Sequence, residues 1–469
     1  MTATAESLDT ALLDAVIGAA LSKGGDFAEI FVEGRRTTRI VHDNRLVEDI
    51  SSGGERGAGI RVVVGESTGF AHTADLSRAG LERAARAAAS VARSTSSGAR
   101  TVSLEVQRDA GRNTARIDPD TVGKADKIEI LQRADDVARS LDSAVVQVKT
   151  IYGDARRSIL IANSEGLLVS DDQVRTSLGV ICVASGDGGM QTGNETIALS
   201  RGFELFEDYP VGELAARAAR RAVAKLAARP APSGVVPVVI ERGSGGVLFH
   251  EACGHGLEAD HIVKDCSVYR GRVGERVASP LVTLVDDATA GANWGSLGVD
   301  DEGRPGRRNV LIEGGVLEDY MWDRMSGEKG SRQSSGNGRR ESYRHLPMVR
   351  MTNTFLLPGK DDPNDIVADT PFGVYVAQLG GGQVNTTTGD FVFGMTEAYL
   401  IENGRITAPI RDANLIGNGP DILAKVDAVA SDFDMSPGTC GKDGQSVPVG
   451  CGQPTLRVSG ITVGGTAGA

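Results

Sequence analysis

At 469 residues the chain exceeds one ordinary hydrophobic core, and its 40% hydrophobic content suffices for packed interiors, which excludes wholesale disorder and favours two domains. Its 62 acidic against 50 basic residues leave a net charge of -12, a surface that repels phosphate backbones and argues against a nucleic-acid partner. The opening Met1-Thr-Ala-Thr-Ala-Glu-Ser7 lacks an export signal's basic and apolar regions, and no apolar run approaches the ~20 residues of a membrane helix, so a cytoplasmic chain without a membrane partner is expected.

Leu8, Leu12, Leu13, Val16, Ile17 and Leu21 recur at helical spacing until Gly24-Gly25 stops the run. Short strands are expected over 28–33, 38–42 and 59–64, then an Ala-rich helix over 76–93 and another over 122–141. Strand patterns follow over 145–152, 158–162, 167–170 and 174–184, and a helix over 213–228. Arg229-Pro-Ala-Pro-Ser-Gly234 punctuates the chain, with two prolines and a glycine between a helix and an apolar run. That boundary divides an N-terminal domain, 1–230, from a C-terminal one, 231–469. Beyond it strands dominate: Gly314-Gly315 lies between 309–312 and 316–321 as in a hairpin. Runs over 372–378 and 391–401 flank three glycines and a Thr-rich stretch. The fold class read from this pattern is α+β, with a mixed N-terminal sheet carrying helices and a strand-rich second domain.

The five cysteines are odd in number and scattered, which argues against a disulfide framework. The most informative stretch is Val247-Leu-Phe-His-Glu-Ala-Cys-Gly-His255. Neutral imidazoles are good zinc ligands, and a neighbouring carboxylate can take a proton from water. In the familiar H-E-x-x-H spacing both histidines share a helical face. Here one more residue intervenes. On a regular helix five residues turn about 140° beyond a full turn, against about 40° for four. His250 and His255 can meet one ion only if the helix is bent, bulged or ending, which predicts irregular backbone within 252–255, with Gly254 the cheapest place for it. The alternative is that both are ordinary helix residues and Glu251 a solvated charge; spacing alone leaves the two readings level.

A third ligand has to come from elsewhere, since a catalytic zinc usually takes three protein ligands. Cys440, in Ser436-Pro-Gly-Thr-Cys-Gly-Lys-Asp-Gly444, reads as a loop thiol that Lys442 would hold as thiolate; a structural thiol or a Cys440–Cys451 bridge are the alternatives. Cys182, Cys253, Cys266 and Cys451 read as structural, and His261 as a weaker ligand candidate. Gly380, Gly381 and Gly382 follow a strand, and their small size would let an extended peptide substrate approach; a flexible turn is the alternative. Arg350, Asn353 and His345 are lesser candidates for substrate contact. Gly65-Glu-Ser-Thr-Gly69 fits a nucleophile elbow in letters but sits in a hairpin context.

The run His250-Glu-Ala-Cys-Gly-His-Gly-Leu-Glu258 resembles the signature of the TldD/PmbA metalloprotease family, in its TldD-type catalytic branch. The resemblance continues through Val285-Asp-Asp-Ala-Thr289, Asp300-Asp-Glu-Gly-Arg-Pro305, Arg350-Met-Thr-Asn-Thr354, Gly380-Gly-Gly-Gln-Val-Asn385, Leu415-Ile-Gly-Asn-Gly419 and Cys440-Gly-Lys-Asp-Gly-Gln445. It implies a two-domain α+β protein, paired as a homodimer or as a heterodimer with a paralogue lacking the metal motif. It also implies a zinc (Zn2+) peptidase for unfolded peptides, with His250, His255 and Cys440 as ligands and Glu251 as general base. Retention of all four residues resembles the active partner. Processing of small dipeptide conjugates, or peptide holding without cleavage, are the other activities to weigh.

Overall fold

Strands as far as residue 199 build one seven-stranded sheet, and strands from residue 229 onward build the rest. The computed structural model describes residues 8–90, 104–106, 115–187 and 189–465; the opening seven residues and the last three of the helix anticipated over 76–93 lie outside them. The strand Phe27–Asp43 runs between Leu46–Val64 and Val145–Asn163, all antiparallel, and Leu167–Gly186 and Gly189–Leu199 continue the sheet. Alternation separates its faces. Ile30, Val32, Ile60 and Val62 pack against the helices Thr10–Ala20 and Arg78–Ala89. Phe31, Ile159 and Ile161 face the other way, onto Val299 and Tyr343 of the C-terminal half. Farther along, Val148, Tyr152, Leu178 and Val180 are covered by Lys124–Leu141 and Val211–Leu226.

The strands anticipated as short pieces are continuous and long. Their middles read as breaks because they are rich in charge and glycine, yet they carry buried ion pairs. Arg157 meets Glu33 at 2.6 Å and Asp301 at 2.9 Å. Glu29, 1% exposed, accepts from Arg61 at 2.9 Å and from Arg340 at 2.5 Å, and Arg61 also meets Glu302 at 2.9 Å. Arg340 lies over the Phe31 ring, 4.3 Å from its centroid. These contacts fasten the N-terminal sheet to the 300–343 segment.

In the C-terminal half, Phe372–Val384, Gly234–Ile240, Leu456–Gly465, Ala413–Asn418 and Asp390–Glu402 pair in a closed ring, a small β-barrel. A six-stranded sheet stands beside it, ending in the hairpin Asp434–Lys442 and Gln445–Gln453. The Gly314-Gly315 hairpin forms as expected, both glycines at positive φ. The 65–69 segment is likewise a hairpin turn, with Val64 opposite Ser67, and no nucleophile elbow. No helix among the described residues is long and apolar enough to cross a membrane.

Burial opposes the Glu29 carboxylate, and Arg61 and Arg340 overcome it, holding its pKa below the usual 4.5. A group bound less tightly by protons when folded stabilises above its unfolded pKa and loses that contribution as pH falls through the folded one. Glu29→Gln is therefore expected to lower unfolding free energy by about 3–5 kcal/mol at neutral pH, as for a broken buried ion pair. Urea unfolding should show the gap to the parent narrowing as pH drops below about 4.5.

Candidate metal centre

The helix Gly246–Phe249 passes without a break into a π-turn over His250–Gly254 and then a 3-10 turn over His255–Leu257. The His255 amide donates to the His250 carbonyl, the i→i+5 bond that brings the two residues over one another. The irregularity expected from the spacing is present. Gly254 itself has helical φ and ψ, so its value lies in packing rather than backbone freedom: a Cβ there would come 2.2 Å from the Met351 sulfur. Gly246 acts likewise upstream, where a Cβ would lie 2.2 Å from the Gly452 amide nitrogen. Small residues let the helix settle between the barrel and the six-stranded sheet.

There the two imidazoles face Cys440. The ring centroids of His250 and His255 stand 5.2 Å apart, and the Cys440 Sγ lies 3.5 Å from His255 Nε2. One donor atom from each residue falls within 4.8 Å of the others, and all three are buried. Metal–nitrogen bonds of about 2.0–2.1 Å and metal–sulfur bonds of about 2.3 Å in a tetrahedral site put nitrogen and sulfur about 3.6 Å apart, close to the observed 3.5 Å. Both ring nitrogens of His250 are buried without a hydrogen-bond partner. Buried polar atoms left so are costly, and a metal ion would satisfy one of them. The donor set fits a divalent ion that accepts nitrogen and sulfur.

The electrostatics favour a thiolate at Cys440. Burial opposes the Cys440 thiolate, but His250 and His255 overcome it and draw the thiol down to about 4. Burial likewise opposes charge on His255, and Glu258 and Cys440 raise it to about 10. Glu258 is fully buried and its Oε2 lies 2.8 Å from His255 Nδ1, which leaves Nε2 to face the cluster. Glu251 is partly exposed, with Oε2 3.7 Å from His255 Nε2, so its carboxylate borders the same space.

Several expectations need correction. Cys440 is not on a loop but in Asp434–Lys442, an edge strand, where Pro437 and the glycines are tolerated because the outer side forms no ladder. It forms no bridge to Cys451; all five cysteines are free. Lys442 does not face the thiol. Its ammonium donates to Glu258 at 3.0 Å, Asp260 at 2.7 Å and the Val349 carbonyl at 3.1 Å. His261 joins that carboxylate cluster, 3.8 Å from Glu258. Cys266 is exposed, whereas Cys182 and Cys253 are buried, their thiols pushed up to about 12 by burial.

Arg350 and Asn353 are completely buried and cannot meet a substrate from solution. Arg350 donates to the carbonyls of Cys440 and Gln445, and Asn353 donates to Asp287 O and Ser296 Oγ while accepting from Gly295 N. Arg350 lies between the strands Met348–Val349 and Asn353–Leu356 and Asn353 opens the latter, and the polar ends of both are spent on holding neighbouring backbone in place. His345 is half-buried and paired with Ser342 at 3.0 Å, beside the contact with the N-terminal sheet and outside the histidine–cysteine cluster. Gly380, Gly381 and Gly382 belong to Phe372–Val384, a bulged strand rather than a turn, and that strand touches the π-turn. Nothing lies within 4 Å of a Cβ built on Gly381, while at Gly382 it would strike the Phe393 ring at 2.3 Å. Glu258 was overlooked as a partner of the site, although a carboxylate three residues beyond a histidine in a helical turn is itself a signal.

Comparison with known proteins extends this picture. Residues 28–92 match the PmbA/TldA metallopeptidase domain 1, residues 117–226 its central domain, and residues 233–465 its C-terminal domain. A metalloprotease TldD homolog of Haemophilus influenzae is 39% identical over 449 residues, 94% of this chain and 93% of that one. A zinc metalloprotease TldD homolog of Saccharolobus solfataricus is 28% identical over 94% of this chain and 97% of its own length. The crystal structure of TldE from Thermococcus kodakarensis shares the fold, with a TM-score of 0.79 at 21% identity, covering 97% of this chain and all of that one. With all three of its sequence segments matched and a relative this similar along nearly the whole length, the chain belongs to the PmbA/TldA metallopeptidase family.

Proposed function

We propose that the chain is a zinc-dependent peptidase acting on unfolded or small peptides. The observation that carries this reading is the meeting of His250, His255 and Cys440, with Glu251 at the edge of the group. Two imidazoles and a thiolate are a donor set suited to zinc, and the name of the Saccharolobus solfataricus relative includes that metal. When bound, zinc supplies Lewis acidity that polarises a peptide carbonyl and lowers the pKa of water.

The chain's own residues do the rest. Glu251 Oε2 receives the proton of the attacking water and passes it to the leaving amine, and its partial exposure keeps it within reach of solvent and substrate. Glu258 holds His255 in one tautomer and ring orientation, and Lys442 neutralises the buried carboxylate that does so. The strand carrying Gly380–Gly382 offers a site for an extended peptide, because beyond its pairing of Val374–Val376 with Gly234–Ile240 that edge has no neighbouring strand among the described residues. Recognition there would read backbone more than side chains, in keeping with a broad substrate range.

Glu251→Gln is expected to retain stoichiometric metal, measured by elemental analysis, while peptide turnover falls at least about 100-fold; wild-type turnover would dismiss Glu251 as the base. Glu258→Gln should weaken metal binding about 10–100-fold in competition with a chromogenic chelator. Gly381→Val should raise KM for an unfolded peptide with little change in kcat, and an unaltered KM would remove the glycine strand from substrate capture.

A further inference from the structure

Arg350 carries no exposed surface, and no carboxylate lies within ion-pair distance of it among the described residues. Two of its guanidinium nitrogens donate to backbone oxygens, while Nε is buried without a partner. Nη2 donates to the carbonyl of Cys440 and Nη1 to that of Gln445, 3.2 Å away. Cys440 and Gln445 stand on the two arms of the hairpin Asp434–Lys442 and Gln445–Gln453, so one side chain grips both arms near the turn. Keeping a permanently charged group in an interior is costly unless its donors are well placed, and a planar fork suits two carbonyls in a way a single ammonium does not.

Arg350 is itself held. Its amide donates to Asn337 O at 2.9 Å and its carbonyl accepts from Asn337 Nδ2 at 3.0 Å. Asn337 Nδ2 also donates to the buried Asp286, 2.7 Å away, and that carboxylate accepts from Thr352 and Thr354 as well. The chain of contacts thus runs from the middle of the six-stranded sheet to the backbone of one cysteine. That cysteine sits on the outermost strand of its sheet, which forms a ladder only with Gln445–Gln453 among the described residues.

We propose that Arg350 is a positioning residue for the thiolate: by holding the Cys440 carbonyl it fixes where Sγ stands relative to His250 and His255. This rests on the metal site proposed above. It assigns Arg350 to the geometry of the metal centre and gives it no contact with substrate. Lys442 makes the complementary hold two residues farther along the same strand, through Glu258 and Val349 O.

The test uses the full-length protein loaded with cobalt(II), whose thiolate charge-transfer band reports the metal–sulfur bond. Wild type should show a band that Cys440→Ser removes; its absence in wild type would overturn the metal site itself. Given that band, Arg350→Lys, which keeps the charge and loses the fork, should shift or weaken it and speed cobalt loss to a chelator about 10–100-fold, the range for residues that orient metal ligands. In a Cys440→Ser background the same change should have no further effect on cobalt loss. An Arg350→Lys protein with the wild-type band and release rate would overturn the assignment, as would a raised KM with metal binding intact. Should Arg350→Lys fail to fold, Asn337→Ser, which loosens the Arg350 backbone, takes its place with the same expected and overturning results.

Discussion

Two histidines five residues apart do not share a face of a regular helix, and the candidate centre depends on how the backbone resolves that conflict. It does so with a single i→i+5 hydrogen bond between His255 and His250. A widened turn is a poor structure in isolation and needs external support. Support arrives from both sides, with Met351 filling the space a side chain at Gly254 would take and the barrel strand with its three glycines lying alongside. A helix that relaxed to regular geometry would separate the imidazoles and leave the thiol without partners.

Charge is arranged around that turn in shells. The buried Glu258 serves two side chains at once, orienting His255 and neutralising Lys442, which in turn pins the strand bearing Cys440. Burial alone would make this carboxylate hard to ionise, yet its two partners hold it well below the usual carboxylate range. Farther out, Glu29, Arg61, Glu302, Arg340, Arg157 and Glu33 form a second buried network that binds the N-terminal sheet to the segment leading toward Arg350. Satisfied ion pairs of this kind add less to net stability than they subtract when broken, so their main effect is to define one relative placement of the two halves.

Much of this was readable from residue order, and the failures have physical causes. Helices with clear apolar periodicity were found within a few residues, and the extra residue between the histidines was enough to foresee a distorted turn. The long strands were cut short because their charged middles look like loops; only the fold reveals that Arg157 and Glu33 neutralise each other across neighbouring strands. Cys440 has no local signal pointing to the histidines, 185 residues earlier than itself in the case of His255, and only the family resemblance lifts it above the alternatives of a structural or bridged thiol. Arg350 reads in the sequence as a lesser candidate for substrate contact, since an arginine is usually solvated and nothing nearby in the chain announces two carbonyls waiting for it. Lys442 was assigned the right neighbourhood and the wrong partner.

Cys440 follows His255 by 185 residues, which sets an order of synthesis for the three side chains. A ribosome has already released both imidazoles into the folding space long before the sulfur donor and the closing barrel strand Leu456–Gly465 emerge. A polypeptide terminated before residue 434 would therefore carry Glu251 and both imidazoles yet lack the Cys440 sulfur and a closed barrel. The proposed centre therefore cannot close around its two imidazoles until the strand Asp434–Lys442 has been made and has paired with Gln445–Gln453.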